Sequence, residues 1–185
     1  GWLHEVKLGA TTVWERWNSL DENGRISSTG MNSLNHYSYG AVLEWIFRHV
    51  AGINVTEQGP GGKMMRISPK VDHKLGSASA VYDSASGCYR CGWQIENGEQ
   101  ITVTVTVPFG AKAQVILPYA PDSVYHDTDN PLFETVENGI CCVKAGQYTV
   151  TYKAASPLKK SYSVDSTLED LLAEPAIRAF LSHMM

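Results

Sequence analysis

The sequence has no basic run, no apolar stretch near the ~20 residues that cross a bilayer, and no signal-peptide pattern at its opening. Lys and Arg number 15 against 19 Asp and Glu, a formal charge of −4, which argues against a nucleic-acid binder and against a polybasic membrane anchor. No His-x-x-x-His and no Gly-x-Ser-x-Gly is present, so zinc hydrolysis and the serine-esterase elbow gain no support. Cysteine is scarce, at four in 185 residues. Charged residues are only 18%, yet apolar ones reach 43%, which excludes a disordered chain. At this length the chain can bury a core without metal or disulfide staples.

The cysteines could offer half a zinc site or a redox pair, but buried or free thiols are the favoured reading. Cys88 and Cys91 make a Cys-x-x-Cys, but the second pair, Cys141 and Cys142, is adjacent, so a strand points the two to opposite faces. Buried or free thiols are expected, and nothing demands an oxidising compartment. A cytoplasmic location is favoured over secretion. No cofactor is called for. His126, Asp127, Asp129 and Asn130 lack the glycine and distant glutamate of a calcium loop and read as a solvated turn. Asn54-Val55-Thr56 fits a glycosylation sequon, relevant only to a secreted eukaryotic chain.

Two periodicities divide the chain. Residues 1–55 read as helix and loop. Thr12 and Glu15 fit a capping box for a short helical turn over Val13–Trp17, and a turn-rich stretch runs from Asn18 to Gly30. Tyr39, Val42, Leu43, Ile46 and Val50 repeat at helical spacing, with Gly52 as the stop. Gly59-Pro60-Gly61-Gly62 is a connection; Met64 after Lys63 excludes a phosphate loop. From 63 to 155 the period is two. Tyr89, Cys91, Trp93 and Ile95 alternate with polar residues, as do Ile101, Val103, Val105 and Val107. Asn97-Gly98 and Asn138-Gly139 are hairpin turns. The tail is helical, with a capping box at Ser166 and Glu169 and a second helix from Pro175 carrying Ile177, Phe180, Leu181 and Met184. The fold class expected is α+β by content: N-terminal helices over 1–58, an antiparallel, jelly-roll-like β-sandwich over 59–160, and short C-terminal helices over 161–185.

Two regions have the composition of a chemical site. Glu15 lies between Trp14 and Trp17, where a carboxylate suits general acid or base work; the competing reading is a helix cap. His36 sits in Asn32-Ser33-Leu34-Asn35-His36-Tyr37-Ser38-Tyr39-Gly40, a run of hydrogen-bonding and aromatic side chains of the kind that lines a sugar pocket. The competing reading is a histidine satisfied by backbone carbonyls.

Together, Gly9-Ala10-Thr11-Thr12-Val13-Trp14-Glu15-Arg16-Trp17 and Met31-Asn32-Ser33-Leu34-Asn35-His36-Tyr37-Ser38-Tyr39-Gly40-Ala41-Val42, followed by Glu44-Trp45, resemble the end of the catalytic domain of bacterial alpha-L-rhamnosidases. The resemblance runs over 8–155 and is most specific over 9–52. It implies an inverting glycoside hydrolase with an (α/α)6 barrel, whose last helices are residues 1–58, and a C-terminal β-sandwich. It implies that Glu15 is the general base, that His36 contacts the sugar, and that Trp14 or Trp17 packs on it. It also implies a rhamnose-containing glycoside as substrate and an upstream catalytic region of the same protein that holds the general acid. A chain without that region is expected to be inactive and to cover its exposed helices by homodimerising. Two other roles for the sandwich are a carbohydrate-binding module, with Trp93 or Tyr89 as a stacking platform, and a brace for the barrel. Tyr89 and Trp93 share parity with Cys91 and Ile95, which favours the brace.

Overall fold

Alternation of apolar and polar side chains sends one face of a strand inward and the other outward, and the strands here follow that pattern. The computed structural model describes residues 1–28, 30–127, 129–158, 166–173 and 175–184. Its strands are β1 (Ile53–Val55), β2 (Met64–Ile67), β3 (Ser77–Ser84), β4 (Gly87–Glu96), β5 (Gln100–Val107), β6 (Lys112–Val115), β7 (Val136–Glu137), β8 (Ile140–Val143) and β9 (Gly146–Lys153). They form a four-stranded sheet in the order β3-β4-β5-β9 and a five-stranded sheet in the order β1-β2-β6-β8-β7.

The sandwich core lies between the sheets. Tyr89, Cys91 and Trp93 of β4 and Ile101, Val103, Val105 and Val107 of β5 meet Met65, Ile67, Ala113, Val115, Cys141 and Val143 of the opposite sheet. Two buried tyrosines tie the layers through polar bonds. Tyr89 donates from its hydroxyl to the carbonyls of Gly62 (2.7 Å) and Lys112 (3.1 Å), and Tyr152 donates to Pro118 (2.7 Å). Each phenol thus enters the core with its hydroxyl satisfied, the condition for burying one without penalty.

Both hairpin turns occur where expected. Asn97 and Gly98 adopt φ of 52° and 72°, and Asn138 and Gly139 adopt 51° and 74°, the left-handed pair that matches strand twist. The structure corrects the antiparallel expectation at one point: β2 and β6 pair in parallel over Met64–Ile67 and Lys112–Val115. The three-stranded meander β3–β5 fills the other sheet before the chain returns, so β6 re-enters alongside β2. Period-two alternation is blind to strand direction. β1, on the N-terminal side of the expected boundary at residue 58, pairs with β2 and belongs to the sandwich. The expected boundary at 160 lies outside the described residues.

Among the described residues, helical segments precede and follow the sandwich along the chain. α1 (Trp2–Lys7) opens the chain. Residues 38–50 form one helical segment that changes winding: a 3-10 turn (Ser38–Ala41), α2 (Val42–Trp45) and a π turn (Ile46–Val50). α3 (Leu168–Ala173) and α4 (Pro175–Met184) form the tail, Pro175 opening α4 as expected. The first turn of α3 closes through Leu171 N–H to the Thr167 carbonyl (3.1 Å), so the helix is entered at Thr167, one residue after the cap expected at Ser166. The side chains of Leu181 and Met184 lie outside the described residues.

The cysteines are free, and their parity is as expected: Cys91 and Cys141 face the core while Cys142 is exposed. Burial pushes the Cys91 thiol up to about 12 and the Cys141 thiol up to about 11 from an ordinary 9.0. Cys142 is therefore expected to take up a thiol reagent first, with Cys91 and Cys141 reacting only on unfolding; peptide mass spectrometry of the labelled chain checks the order. The fold retains protons on Cys91 and Cys141 that the unfolded chain releases near 9.0, so stability falls as pH rises from there toward the folded values. A urea midpoint that stays constant through this range contradicts the assignment.

Candidate functional site

The last carbonyls of a helix have no partner within it and must find one elsewhere. In the 38–50 segment the sandwich supplies them. The Arg48 carbonyl accepts from Asn54 Nδ2 (2.9 Å), that of His49 from Lys70 N–H (2.8 Å) and that of Val50 from Trp93 Nε1 (2.7 Å). Ile46 and Phe47 carbonyls take the N–H groups of Ala51 (3.0 Å) and Gly52 (3.1 Å), five residues on, which makes this turn a π turn. Gly52 stands at φ +86°, and a Cβ there would lie 2.3 Å from the Pro69 nitrogen. Only glycine allows the chain to leave the helix this close to the sandwich, where the Gly52 carbonyl accepts from Ser68 N–H (2.8 Å). The Asn54 amide nitrogen, the atom a glycan would take, is committed to this junction through Arg48 and Gly52.

The other end of the segment, about 20 Å away at ~1.5 Å per residue, carries the two chemical candidates. Residues 13–15 and 33–36 run side by side: Glu15 N–H donates to the Ser33 carbonyl (2.9 Å) and His36 N–H to the Val13 carbonyl (2.8 Å). The second of these bonds takes the Val13 carbonyl, the acceptor that the Trp17 N–H of a helical turn over Val13–Trp17 would need, and no helix forms there, contrary to expectation. Thr12 is not a cap; its hydroxyl donates to the Leu34 carbonyl. The Glu15 carboxylate reaches across to Ser33, whose N–H donates to Oε2 at 2.8 Å. Its Oε1 has no protein partner among the described residues. Glu15 is half-buried, as is His36. His36 Nδ1 accepts from Ser38 N–H (3.3 Å) and lies 2.9 Å from Ser38 Oγ, and the ring stacks on Tyr37 with centroids 5.3 Å apart.

The aromatic residues divide. Trp14 is 3% exposed, with its N–H donating to Glu5 Oε2 (3.4 Å) and its ring edge-on to His4. Trp17 is half-buried, stacked on Tyr39 at 3.7 Å with 4° between the rings and edge-on to Trp2. Tyr89 and Trp93 are 0% and 3% exposed, so the stacking-platform reading is corrected: neither ring offers a face to a ligand. His126 ends a 3-10 turn, Asp127 Oδ1 accepts from Asp129 N–H (3.2 Å), and Asn130 caps the next turn through Leu132 N–H (3.0 Å). These are turn-forming roles for that cluster. Cavities of 460 and 540 Å³ lie along the sandwich side of the helix, and neither is lined by Glu15 or His36.

Sequence reasoning missed Ser33 and Ser38, the two residues that hold the candidate groups. Ser33 acts through its backbone N–H, which no side-chain pattern reveals.

Residues 1–50 match the model of the bacterial alpha-L-rhamnosidase six-hairpin glycosidase domain, and residues 52–130 match that of the bacterial alpha-L-rhamnosidase C-terminal domain. The chain belongs to the bacterial alpha-L-rhamnosidase family. It is 36% identical over 149 residues to an alpha-L-rhamnosidase of Alteromonas sp. (strain LOR), covering 80% of this chain and 15% of that protein. It is 34% identical over 146 residues to one of Streptomyces avermitilis, covering 78% of this chain and 14% of that protein. Among solved structures, Streptomyces avermitilis alpha-L-rhamnosidase complexed with L-rhamnose superposes with a TM-score of 0.65 at 31% identity, covering 83% of this chain and 15% of that one. That of Aspergillus terreus superposes at 0.62 and 27%, covering 85% and 16%. The chain thus spans about 15% of the length of the curated rhamnosidases it matches. The two family models meet at the helix-to-sandwich junction around Gly52.

If Trp93 holds that junction, Trp93→Phe removes the donor to the Val50 carbonyl and is expected to destabilise the chain by about 1–3 kcal/mol. Urea unfolding of the two chains measures the difference. An unchanged midpoint contradicts the role.

Proposed function

We propose that this chain carries the water-activating carboxylate and a sugar-binding histidine of an inverting alpha-L-rhamnosidase, and that the rest of the enzyme supplies the general acid. The supporting observation is the Glu15 carboxylate, with Oε2 fixed by Ser33 N–H at 2.8 Å and Oε1 left without a protein partner among the described residues. A carboxylate held by one oxygen and open at the other is arranged to take a proton from water in a set direction.

In this reading Glu15 deprotonates a water that attacks the anomeric carbon of a terminal alpha-L-rhamnoside. A carboxylic acid elsewhere in the enzyme protonates the departing oxygen. Inversion needs room for the water, so the two carboxyl groups stand ~6.5–9.5 Å apart. His36 hydrogen-bonds a sugar oxygen. Trp17, which retains exposure, is the tryptophan available to the sugar; Trp14, at 3% exposure, is assigned to packing. The sandwich acts as a brace, a role supported by the three helix-end carbonyls it satisfies, those of Arg48, His49 and Val50. Leu3, Val6, Leu43 and Trp45 expose 75%, 68%, 66% and 57% of their surface. We assign these exposed apolar side chains to contacts with the remainder of the barrel, and in the isolated chain to a second copy.

In the complete enzyme, Glu15→Gln is expected to lower kcat by ~10²–10⁴ with folding intact; near-normal turnover of an aryl rhamnoside overturns the assignment. The isolated 185-residue chain is expected to release no rhamnose, because one carboxylate does not make both proton transfers, and to exceed the monomer mass in light scattering.

A further inference from the structure

His36 has one ring nitrogen held and the other open. The held one is Nδ1, which Ser38 approaches twice, by its N–H at 3.3 Å and its hydroxyl at 2.9 Å. The approach has a structural cause. Ser38 is the first residue of the 3-10 turn Ser38–Ala41, and the leading N–H groups of a helical segment have no partner inside it. The ring of His36, two residues earlier, fills that vacancy. A backbone N–H only donates, so it favours an Nδ1 that presents its lone pair; at 3.3 Å that bond is long, and the hydroxyl at 2.9 Å makes the closer contact, so that with both in place the proton of the neutral ring resides on Nε2. The ring has little freedom to turn away, since the His36 N–H is tied to the Val13 carbonyl (2.8 Å) and its face stacks on Tyr37 with 12° between the planes. Nε2 has no partner among the described residues.

We propose that Ser38 is a positioning residue for His36: its N–H and hydroxyl together fix the Nε2–H tautomer, so that the histidine meets its ligand as a hydrogen-bond donor and selects an oxygen lone pair there. The ligand chemistry rests on the reading of His36 as a sugar contact; the tautomer does not. With the opposite tautomer, Nε2 would offer a lone pair and demand a hydroxyl hydrogen from the sugar. Ser38 therefore sets the polarity of the contact, although it touches no substrate itself.

The test is the ring-nitrogen spectrum of the full chain, labelled with 15N in its histidines and recorded above the imidazole titration range without sugar. His36 is identified by the signals lost in His36→Asn. The wild-type chain is expected to show His36 as a single Nε2–H tautomer. Ser38→Ala, which keeps the N–H but loses the hydroxyl, is expected to shift both nitrogens toward a tautomer mixture, and Ser38→Thr to restore the wild-type positions. A wild-type His36 protonated on Nδ1, or a Ser38→Ala spectrum identical to wild type, overturns the proposal. If Ser38→Ala fails to fold, the wild-type and Ser38→Thr spectra decide: a single Nε2–H tautomer in both sustains it, and a mixture in either sinks it. Adding L-rhamnose afterwards probes the sugar reading separately, since a His36 signal that ignores the sugar counts against that reading and leaves the tautomer result as it stands.

Discussion

The organisation of this chain depends on how the helical segment over 38–50 ends. A helix ends with carbonyls that have no partner within it, and one left unpaired away from water costs ~1–3 kcal/mol. Here the sandwich provides the donors: the indole of Trp93, the backbone of Lys70, and the amide of Asn54 for the carbonyls of Val50, His49 and Arg48. The constraint works in both directions. It fixes the orientation of the helix on the sandwich. It also explains features that look odd in isolation, namely an indole in a strand core reaching out of its sheet, a π turn at the helix end, and a glycine whose Cβ would strike Pro69.

The candidate groups sit at the opposite end, ~20 Å from the anchor. The loop that carries Glu15 and the loop that carries His36 are tied to each other by backbone bonds, and the second leads directly into the helix. A rigid strut anchored at its C-terminus thus holds a mutually braced pair of loops at its N-terminus. That division is physically economical. Loops supply oriented N–H groups, such as that of Ser33 on the Glu15 carboxylate, while the regular elements restrict their drift. In the proposed reading, a loss of only ~1 Å in such positioning costs about 10²-fold in rate, and the sandwich serves the site as a brace without touching a sugar.

Much of the sandwich was legible because its signals are local. Asn97-Gly98 and Asn138-Gly139 carry their hairpins in two residues, and the alternation in β4 and β5 sorts Cys91, Trp93, Val103 and Val105 inward. The parallel pairing of β2 with β6 was not legible, since direction depends on a connection of more than forty residues that no local pattern encodes. β3 was also faint: Ser77, Ala78, Ser79 and Ala80 are all small, so their alternation carries little polarity contrast, and the strand is specified by its eight-residue register with β4. At the site, the residue types of Glu15 and His36 stood out, but the local pattern around Glu15 pointed to a helical turn that long-range bonds to Ser33 and His36 replace. Tertiary pairing overrode a weak propensity.

Native-state hydrogen exchange at Ser68 and Lys70 tests the anchoring most directly, because their N–H groups bind the carbonyls of Gly52 and His49 at the junction, beyond the ends of the strands. If the helix end and the sandwich form one cooperative unit, these two amides exchange with the same opening free energy as the β5 amides of Val103 and Val105. Exchange of Ser68 and Lys70 at the rate of exposed loop amides, with β5 still protected, contradicts the anchored strut.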